Sequence, residues 1–342
     1  MAERKLATTA RIVSITPIEG ADAIETARVR GWDVVVGKGQ YSPGDLVVFF
    51  EIDTALPLSN PAFTKFGERS KKTLPDGTEA HVLRTIKLRG QISQGLIMSI
   101  GELQLPDDVT TILGNDEDVD LTDILNLQKW EPPVPGGSSP AKGTFLTQYA
   151  SKTDSERVQN INDRTWAEIQ EREWIATEKV DGSSLTMIKD VDGNPRVCSR
   201  NWEVSEGGVH FTTAHKTGFF DLMPNGMVVQ GEIVGPGVQN NPLKLNETRL
   251  LIFDVWQDRK VIPVEDWPEW AKPHAVPTYV DLQLPATQDD AVAQADKIKS
   301  LVNPAVQAEG IVWHTADGSE VPRLARSTWK AINNSYLAKQ KD

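Results

Sequence analysis

Glu178-Lys-Val-Asp-Gly-Ser-Ser184 is the stretch on which the reading of this chain turns. Strand-like segments flank it, Glu173 to Glu178 before and Leu185 to Lys189 after, so it reads as a lysine leaving a strand at a glycine turn. A lysine so placed can project its amine into a cleft beside the Asp181 carboxylate. At its ordinary pKa of about 10.4 the amine is a weak nucleophile, and desolvation or adjacent cations must lower that value before it attacks an electrophile. Lysine followed by Asp-Gly is also an ordinary β-turn, so the neighbouring segments decide what this one means.

Downstream, the Asp192-Gly193 turn starts a strand from Arg196 to Arg200, and Met227 to Val234, Thr248 to Trp256 and Gly310 to His314 read as further apolar strands. Ala291, Val292, Ala295, Ile298 and Leu301 have helical spacing and predict a helix over 289–302, with another helix from Ser327 to the end. Upstream, 151–170 reads as a helix with Thr153 as N-cap and Glu156 three residues on. Strands that come in hairpins without regular helical crossovers predict an α+β domain of mainly antiparallel sheet.

Further upstream, five short runs lie within residues 8–105: Ala10 to Ile15, Trp32 to Val36, Asp45 to Ile52, Val82 to Leu88 and Gly95 to Ile100. Ser42-Pro-Gly-Asp45 and Pro75-Asp-Gly77 punctuate them as turns. Five strands in so short a stretch predict a small barrel, of which the oligonucleotide-binding (OB) barrel is the best-known case. Arg84, Lys87 and Arg89 alternate, which predicts one basic face that, with Lys71 and Lys72, would track a phosphate backbone or else simply be solvated.

The chain has 342 residues, 39% hydrophobic and 25% charged, enough for two domains and too apolar for wholesale disorder. The opening MAERKLATTA has no apolar core of the signal-peptide kind, and the longest apolar run, Leu46 to Phe50, is far too short to span a bilayer. Cys198 is the single cysteine, so no intramolecular disulfide or multi-thiol zinc site is available, and a reducing cytoplasm is the expected location. The net charge of −12 argues at first against a polyanionic partner. Its distribution weakens that objection: residues 1–100 carry 13 Lys and Arg against 11 Asp and Glu, whereas 101–150 carry 2 against 9. The acidic stretch contains Asp107, Asp108, Asp116, Glu117, Asp118 and Asp120 and runs into Glu131-Pro-Pro-Val-Pro-Gly-Gly-Ser-Ser-Pro140. It reads as a linker over 106–143, between an OB-like domain at 1–105 and a second domain at 144–342.

Ser199-Arg200, Val229-Gln-Gly-Glu-Ile-Val-Gly235, Leu251-Ile-Phe-Asp-Val255, Ala308-Glu-Gly-Ile-Val-Trp313 and Arg326-Ser-Thr-Trp-Lys-Ala-Ile332 follow the lysine stretch in order. Together they resemble motifs I to V of the covalent nucleotidyltransferases, the superfamily of polynucleotide ligases and messenger RNA capping enzymes. The similarity is closer still to the ATP-dependent RNA ligases of the Deinococcus type. It is carried by Gly44-Asp-Leu-Val-Val-Phe-Phe-Glu-Ile-Asp53, Arg89-Gly-Gln-Ile-Ser-Gln-Gly-Leu96, Lys152-Thr-Asp-Ser-Glu-Arg-Val-Gln-Asn160 and Lys330-Ala-Ile-Asn-Asn-Ser-Tyr-Leu337.

The resemblance implies Lys179 as the adenylylated nucleophile, and Asp181, Glu232 and Glu309 holding a metal through its water shell, with Glu232 also near the ribose. It implies Arg200 on ribose or phosphate, Phe253 stacked on adenine, Glu178 at the base edge, and Lys330 on the α-phosphate. Trp329 stands where the family usually has phenylalanine, and Arg326 is the candidate second cation of motif V. ATP as substrate and magnesium, or manganese, as metal follow. So does an RNA or an RNA/DNA duplex with a nick as partner, with no membrane and no protein partner indicated. The rivals are a DNA ligase or capping guanylyltransferase, which place an OB module after motif V, and a nonenzymatic nucleic-acid-binding protein. The first pair fits poorly with a chain running from Lys330 only to Asp342, and the second with an intact set of Lys179, Glu232 and Glu309. Gly37-Lys-Gly39 lacks the pattern of a phosphate loop, and the five histidines show no metal-ligand pairing.

Overall fold

Trp32-Asp-Val-Val-Val-Gly37 alternates buried and half-buried side chains, as a strand does when one face meets a core. It belongs to the first of two units in the computed structural model, Met1–Pro133 with Leu337–Asp342; the second is Val134–Tyr336. The structure describes residues 4–67, 71–74, 76–106, 109–110, 113, 116–130, 139–322, 324 and 326–339.

The first unit contains β1 (Ala7–Pro17), β2 (Ile24–Val29), β3 (Trp32–Gly37), β4 (Leu46–Phe50), β5 (Thr54–Pro57), β6 (Lys71–Thr73), β7 (Glu79–Val82), β8 (Ile86–Leu88), β9 (Gln91–Ser93), β10 (Leu96–Ser99) and β11 (Gln128–Lys129). A five-stranded sheet runs β10-β4-β1-β2-β3, a four-stranded one β11-β5-β7-β6, and β8 with β9 forms a hairpin. Strand β4 has a core on each face. Val47 and Phe49 pack with Ile12, Trp32 and Ile97, while Val48 and Phe50 pack with Leu56, Phe63 and Leu121. That is why Leu46-Val-Val-Phe-Phe50 is a continuous apolar run instead of an alternating one.

Three expectations change here. Strand β2 was not among the predicted five, because Ile24-Glu-Thr-Ala-Arg-Val29 mixes charge with apolar residues, yet it pairs with both β1 and β3. The predicted strand Val82 to Leu88 breaks in two, because the Leu83 backbone turns to bond Asp53 and Thr54. Arg84, Lys87 and Arg89 therefore do not alternate along one strand: Arg84 lies in the break, Lys87 on β8, and Arg89 in the hairpin turn at φ 49. The predicted linker 106–143 also folds in large part. Leu113, Leu121, Leu125 and Leu127 are buried in the amino-terminal core, Asp118 pairs with Arg30 at 2.5 Å, and β11 pairs with β5. Leucines spaced among the acids supply apolar surface that a solvated connection would not carry. Pro75, Asp107, Asp108 and residues 131–138 lie outside the described residues.

The second unit contains β12 (Ala141–Thr144), β13 (Glu156–Arg157), α1 (Asp163–Gln170), β14 (Trp174–Lys179), β15 (Ser183–Lys189), β16 (Pro195–Cys198), β17 (Trp202–Val204), α2 (Gly208–Lys216), α3 (Phe219–Leu222), β18 (Met227–Val234), β19 (Arg249–Gln257), β20 (Lys260–Ile262), α4 (Gln288–Lys297), β21 (Gly310–Thr315), β22 (Thr328–Ile332) and α5 (Asn334–Leu337). A seven-stranded antiparallel sheet runs β12-β17-β16-β15-β18-β19-β20. A four-stranded sheet runs β13-β22-β21-β14, antiparallel except for β13 against β22. This is the α+β, mainly antiparallel domain the sequence predicts.

Apolar residues of α1 and α4 cover the smaller sheet through Ile169, Ala291 and Ala295. Four tryptophans complete that core. Trp329 and Trp313 stack at 5.5 Å, and Trp166 and Trp174 meet Trp329 edge-on. The helix predicted over 151–170 begins only at Asp163, where Asn162 caps it by accepting from the Thr165 amide at 2.9 Å. Thr153 bonds Ser184 instead. The segment from Ser327, predicted to end as a helix, is first strand β22, whose Trp329 and Ala331 bury against the sheet core, and turns helical only in α5. The predicted helix 289–302 stops at Lys297, with Ile298 already extended. Among the described residues no helix is long and apolar enough to cross a membrane.

Candidate active site

Lys179 is the last residue of β14 and pairs in register with Gly310, the first of β21. This pairing sets Glu309 beside the lysine, and Lys179 Nζ donates to Glu309 Oε2 at 2.6 Å. The turn after Lys179 is pressed against the larger sheet, where a Cβ on Gly182 would sit 2.2 Å from the Ile233 carbonyl oxygen. A Cβ on Gly310 would likewise sit 2.2 Å from the Ala331 carbonyl oxygen. The Asp-Gly and Glu-Gly pairs of the sequence are thus close approaches of backbone to backbone, and each leaves its carboxylate at the rim of one site.

Glu232, opposite Ser184 in the β15–β18 ladder, completes the carboxylate set. Burial pushes its pKa up to about 8, with Glu309 and Asp181 adding to the rise and Lys179 and Arg200 opposing it. Burial also raises Glu309, with Asp181 adding and Lys179 opposing. For Lys179 burial acts to lower the pKa, but Glu309, Glu232 and Asp181 outweigh it and raise it, which favours the protonated ammonium. Tyr336 of α5 donates to Asp181 Oδ2 at 2.6 Å and fixes that side chain. Among the described residues no three His, Cys, Asp or Glu side chains converge tightly enough to enclose a metal ion. Asp181, Glu232 and Glu309 around Lys179 are oxygen donors of the kind that suits a hydrated divalent cation such as magnesium.

The cations stand on the other side of the lysine. Lys330, on β22, has its pKa pushed down to about 7 by burial and by Arg157, Lys179 and Arg200, against the opposing pull of Asp154. Its ammonium lies 3.8 Å from Asp154 Oδ1. Arg200 donates through Nη2 to both oxygens of that same carboxylate at 2.7 Å. Arg157 and Lys330 are register partners on β13 and β22.

Val180, Val234, Leu243 and Val276 form a buried apolar cluster beside the lysine turn, with Phe253 and Val302 packed against it. At its edge Glu178 accepts from the Leu301 and Val302 amides through Oε2, at 2.7 and 3.1 Å, while its buried Oε1 has no hydrogen-bond partner. Apolar surface beside one unanswered acceptor is the chemistry that suits a flat heterocycle carrying an amino group.

Arg326 is the correction. Its guanidinium is buried and spends its donors on Asp254, on Gln230 at 3.1 Å and on the Lys152 carbonyl at 3.2 Å. It lies 5.9 Å from the Phe253 ring centroid and supports that ring from the interior instead of facing a phosphate. The structure thus gathers Lys179, Asp181, Glu232, Glu309, Arg200 and Lys330 around one point, adds Glu178 and Phe253 beside it, and leaves the Arg326 guanidinium out.

Residues 6–100 match the family described as an OB-fold domain, and 172–332 the family described as RNA ligase. No curated protein sequence matches the chain. Among solved structures, RNA ligase of Naegleria gruberi with PPi is 34% identical with a TM-score of 0.85, covering 99% of this chain and 100% of that one. A mutant of the same enzyme with ATP and Mn is 33% identical, with a TM-score of 0.83 and coverage of 98% and 99%. Another, with AMP and Mn, is 34% identical, with a TM-score of 0.84 and the same coverage.

The chain belongs to the RNA ligase family. Three side chains of this RNA ligase site were not singled out from sequence. Asp154 and Arg157 lie in a segment that reads as a helix start, and Tyr336 in one that reads as a helix end. Their only signal was membership of segments that resemble the family. None of them bears a spacing that demands a site.

Proposed function

We propose that this RNA ligase is ATP-dependent and joins a 3'-hydroxyl RNA end to a 5'-phosphate at nicks in duplexes, through an enzyme-lysyl-AMP and an adenylylated polynucleotide. The observation that carries the reading is Lys179 hydrogen-bonded to Glu309 at 2.6 Å, between carboxylates on one side and Lys330 with Arg200 on the other. In the first step the Lys179 amine attacks the α-phosphorus, forming an N–P bond as the bond to the bridging oxygen breaks and pyrophosphate leaves. Lys330 and Arg200 offset the charge that gathers on the phosphate. Phe253 and Val302 bracket the base, and Glu178 Oε1 accepts from its amino group. In the second step the 5'-phosphate oxygen of the polynucleotide attacks the AMP phosphorus and the N–P bond breaks, regenerating the amine. In the third the 3'-hydroxyl attacks the 5'-phosphorus, and AMP leaves.

Lys179 must lose a proton before it attacks, and the carboxylates that raise its pKa oppose this. A divalent cation held at Asp181, Glu232 and Glu309 would cancel their field, letting burial lower the lysine, and would share the charge on the triphosphate. Incubation with labelled ATP or GTP and magnesium tests the reading. Covalent label from ATP that chases into 5'-adenylylated RNA is expected. Label from GTP would mark a capping-type enzyme, and no label a binding protein.

A further inference from the structure

Asp154 is a carboxylate set among cations. It sits on a strap, residues 151–155, pinned on both sides. Gln230 donates to the Ser151 carbonyl at 2.9 Å, Arg326 holds the Lys152 carbonyl, Thr153 bonds Ser184 at 2.9 Å, and Ser155 bonds Thr328 at 2.7 Å. Ser184 lies on the seven-stranded sheet and Thr328 on the four-stranded one, so the strap crosses from one to the other. Asp154, between the pinned Thr153 and Ser155, is thereby presented to Arg200 and Lys330. The Asp154 side chain is 51% exposed and Arg200 45%, whereas Lys330 is 14% exposed, so an anion arriving from solvent reaches Asp154 and Arg200 before Lys330.

Two carboxylate oxygens bridging a guanidinium and an ammonium reproduce what a phosphate would do there. We propose, resting on the reading of Arg200 and Lys330 as phosphate ligands, that Asp154 is a tethered competitor of ATP's phosphates. In the empty enzyme it neutralises Arg200 and Lys330, which would otherwise repel each other and the nearby Arg157 and Lys179. Nucleotide must displace it. When pyrophosphate forms, Asp154 reclaims the two cations, which speeds departure of that product and clears the site for polynucleotide. Its charge thus weakens binding of substrate and product alike, and turnover gains from the second effect.

The test is Asp154→Asn, which keeps size and hydrogen bonding but removes charge, titrated with inorganic pyrophosphate at one fixed magnesium concentration by calorimetry. Two partly exposed ion pairs, each weakened by solvent screening, predict a dissociation constant roughly three- to tenfold lower than wild type. KM for ATP should fall together with kcat. Asp154→Glu, which keeps the charge, should stay near wild type, and Asp154→Ser carries the same expectation as Asn if the Asn variant melts early. An unchanged or weaker pyrophosphate affinity in the neutral variants would overturn the proposal and make Asp154 a positioning residue for Arg200. Failure of the wild-type protein to take label from ATP is a separate outcome, and it removes the functional reading itself.

Discussion

At the residue scale the site is a contest over charge on two lysines. Lys179 is held protonated by three carboxylates, while Lys330 is pushed toward neutrality by burial and surrounding cations. Lys179→Ala is expected to lose all covalent label from ATP, yet still join RNA supplied with a 5'-adenylate, since in the proposed reaction the side chain serves only to carry AMP. Normal labelling of that variant would refute the role. Lys330 gives a pH signature. In the empty enzyme it is charged below about pH 7 and neutral above, so its attraction for phosphate is present at low pH and fades as pH rises through that value. Asp154, Arg157, Lys179, Arg200 and Glu309 are charged groups near it, and bound ATP adds negative charge that draws the proton back. KM for ATP should therefore rise between pH 6 and 8.5 with an inflection near 7, and Lys330→Arg should flatten the rise. Lys179, the proposed nucleophile, and its carboxylates were legible in the sequence because Asp181, Glu232 and Glu309 each adjoin a glycine and their segments follow in a fixed order. Asp154 and Tyr336 were not, because a carboxylate that pairs across 46 residues with Arg200 has no local pattern.

At the element scale, the aim of Lys330 depends on Trp329, its neighbour on β22. Trp329 is fully buried, stacks on Trp313 and meets Trp166 and Trp174 edge-on, so the strand cannot roll without opening that cluster. Trp329→Ala should cost about 3–5 kcal/mol of stability, read as a large fall in melting temperature. Trp329→Phe should melt only modestly lower and still form enzyme-AMP, because the buried indole nitrogen makes no hydrogen bond that phenylalanine would lose. A Phe variant as unstable as the Ala variant would show that ring shape, not apolar bulk, sets the strand. Strands with strong apolar runs, such as Met227 to Val234, were read with their observed bounds. Misreadings fell where tertiary contacts overrule local pattern. Thr153 has the chemistry of a cap, but its hydroxyl finds Ser184, 31 residues away, and the segment stays extended. Ser327 onward has helix-compatible residues, but pairing with β21 and burial of Trp329 make Thr328–Ile332 a strand, and the helix forms only over Asn334–Leu337.

At the scale of the whole molecule, every residue proposed to touch nucleotide lies in the unit Val134–Tyr336, and none in the unit that carries the OB-fold match. That segregation implies a division of labour. The hairpin β8–β9 exposes Lys87 and Arg89 together with Ile86 and Leu88, 48% and 39% exposed, a pairing of cations with apolar surface suited to the backbone and bases of a polynucleotide. A fragment of residues 134–336 should accept AMP from ATP but seal a nicked duplex far more slowly than the full chain. Covalent labelling of the fragment doubles as the check that it has folded, so slow sealing by a labelled fragment speaks to polynucleotide binding alone. The full chain carrying Lys87→Ala and Arg89→Ala gives the matched control: labelling should be unchanged, sealing should weaken, and the salt dependence of nick binding should flatten by about one unit of log-log slope per lost phosphate contact. Equal sealing by labelled fragment and full chain would assign polynucleotide binding to the second unit and leave the amino-terminal unit without that role.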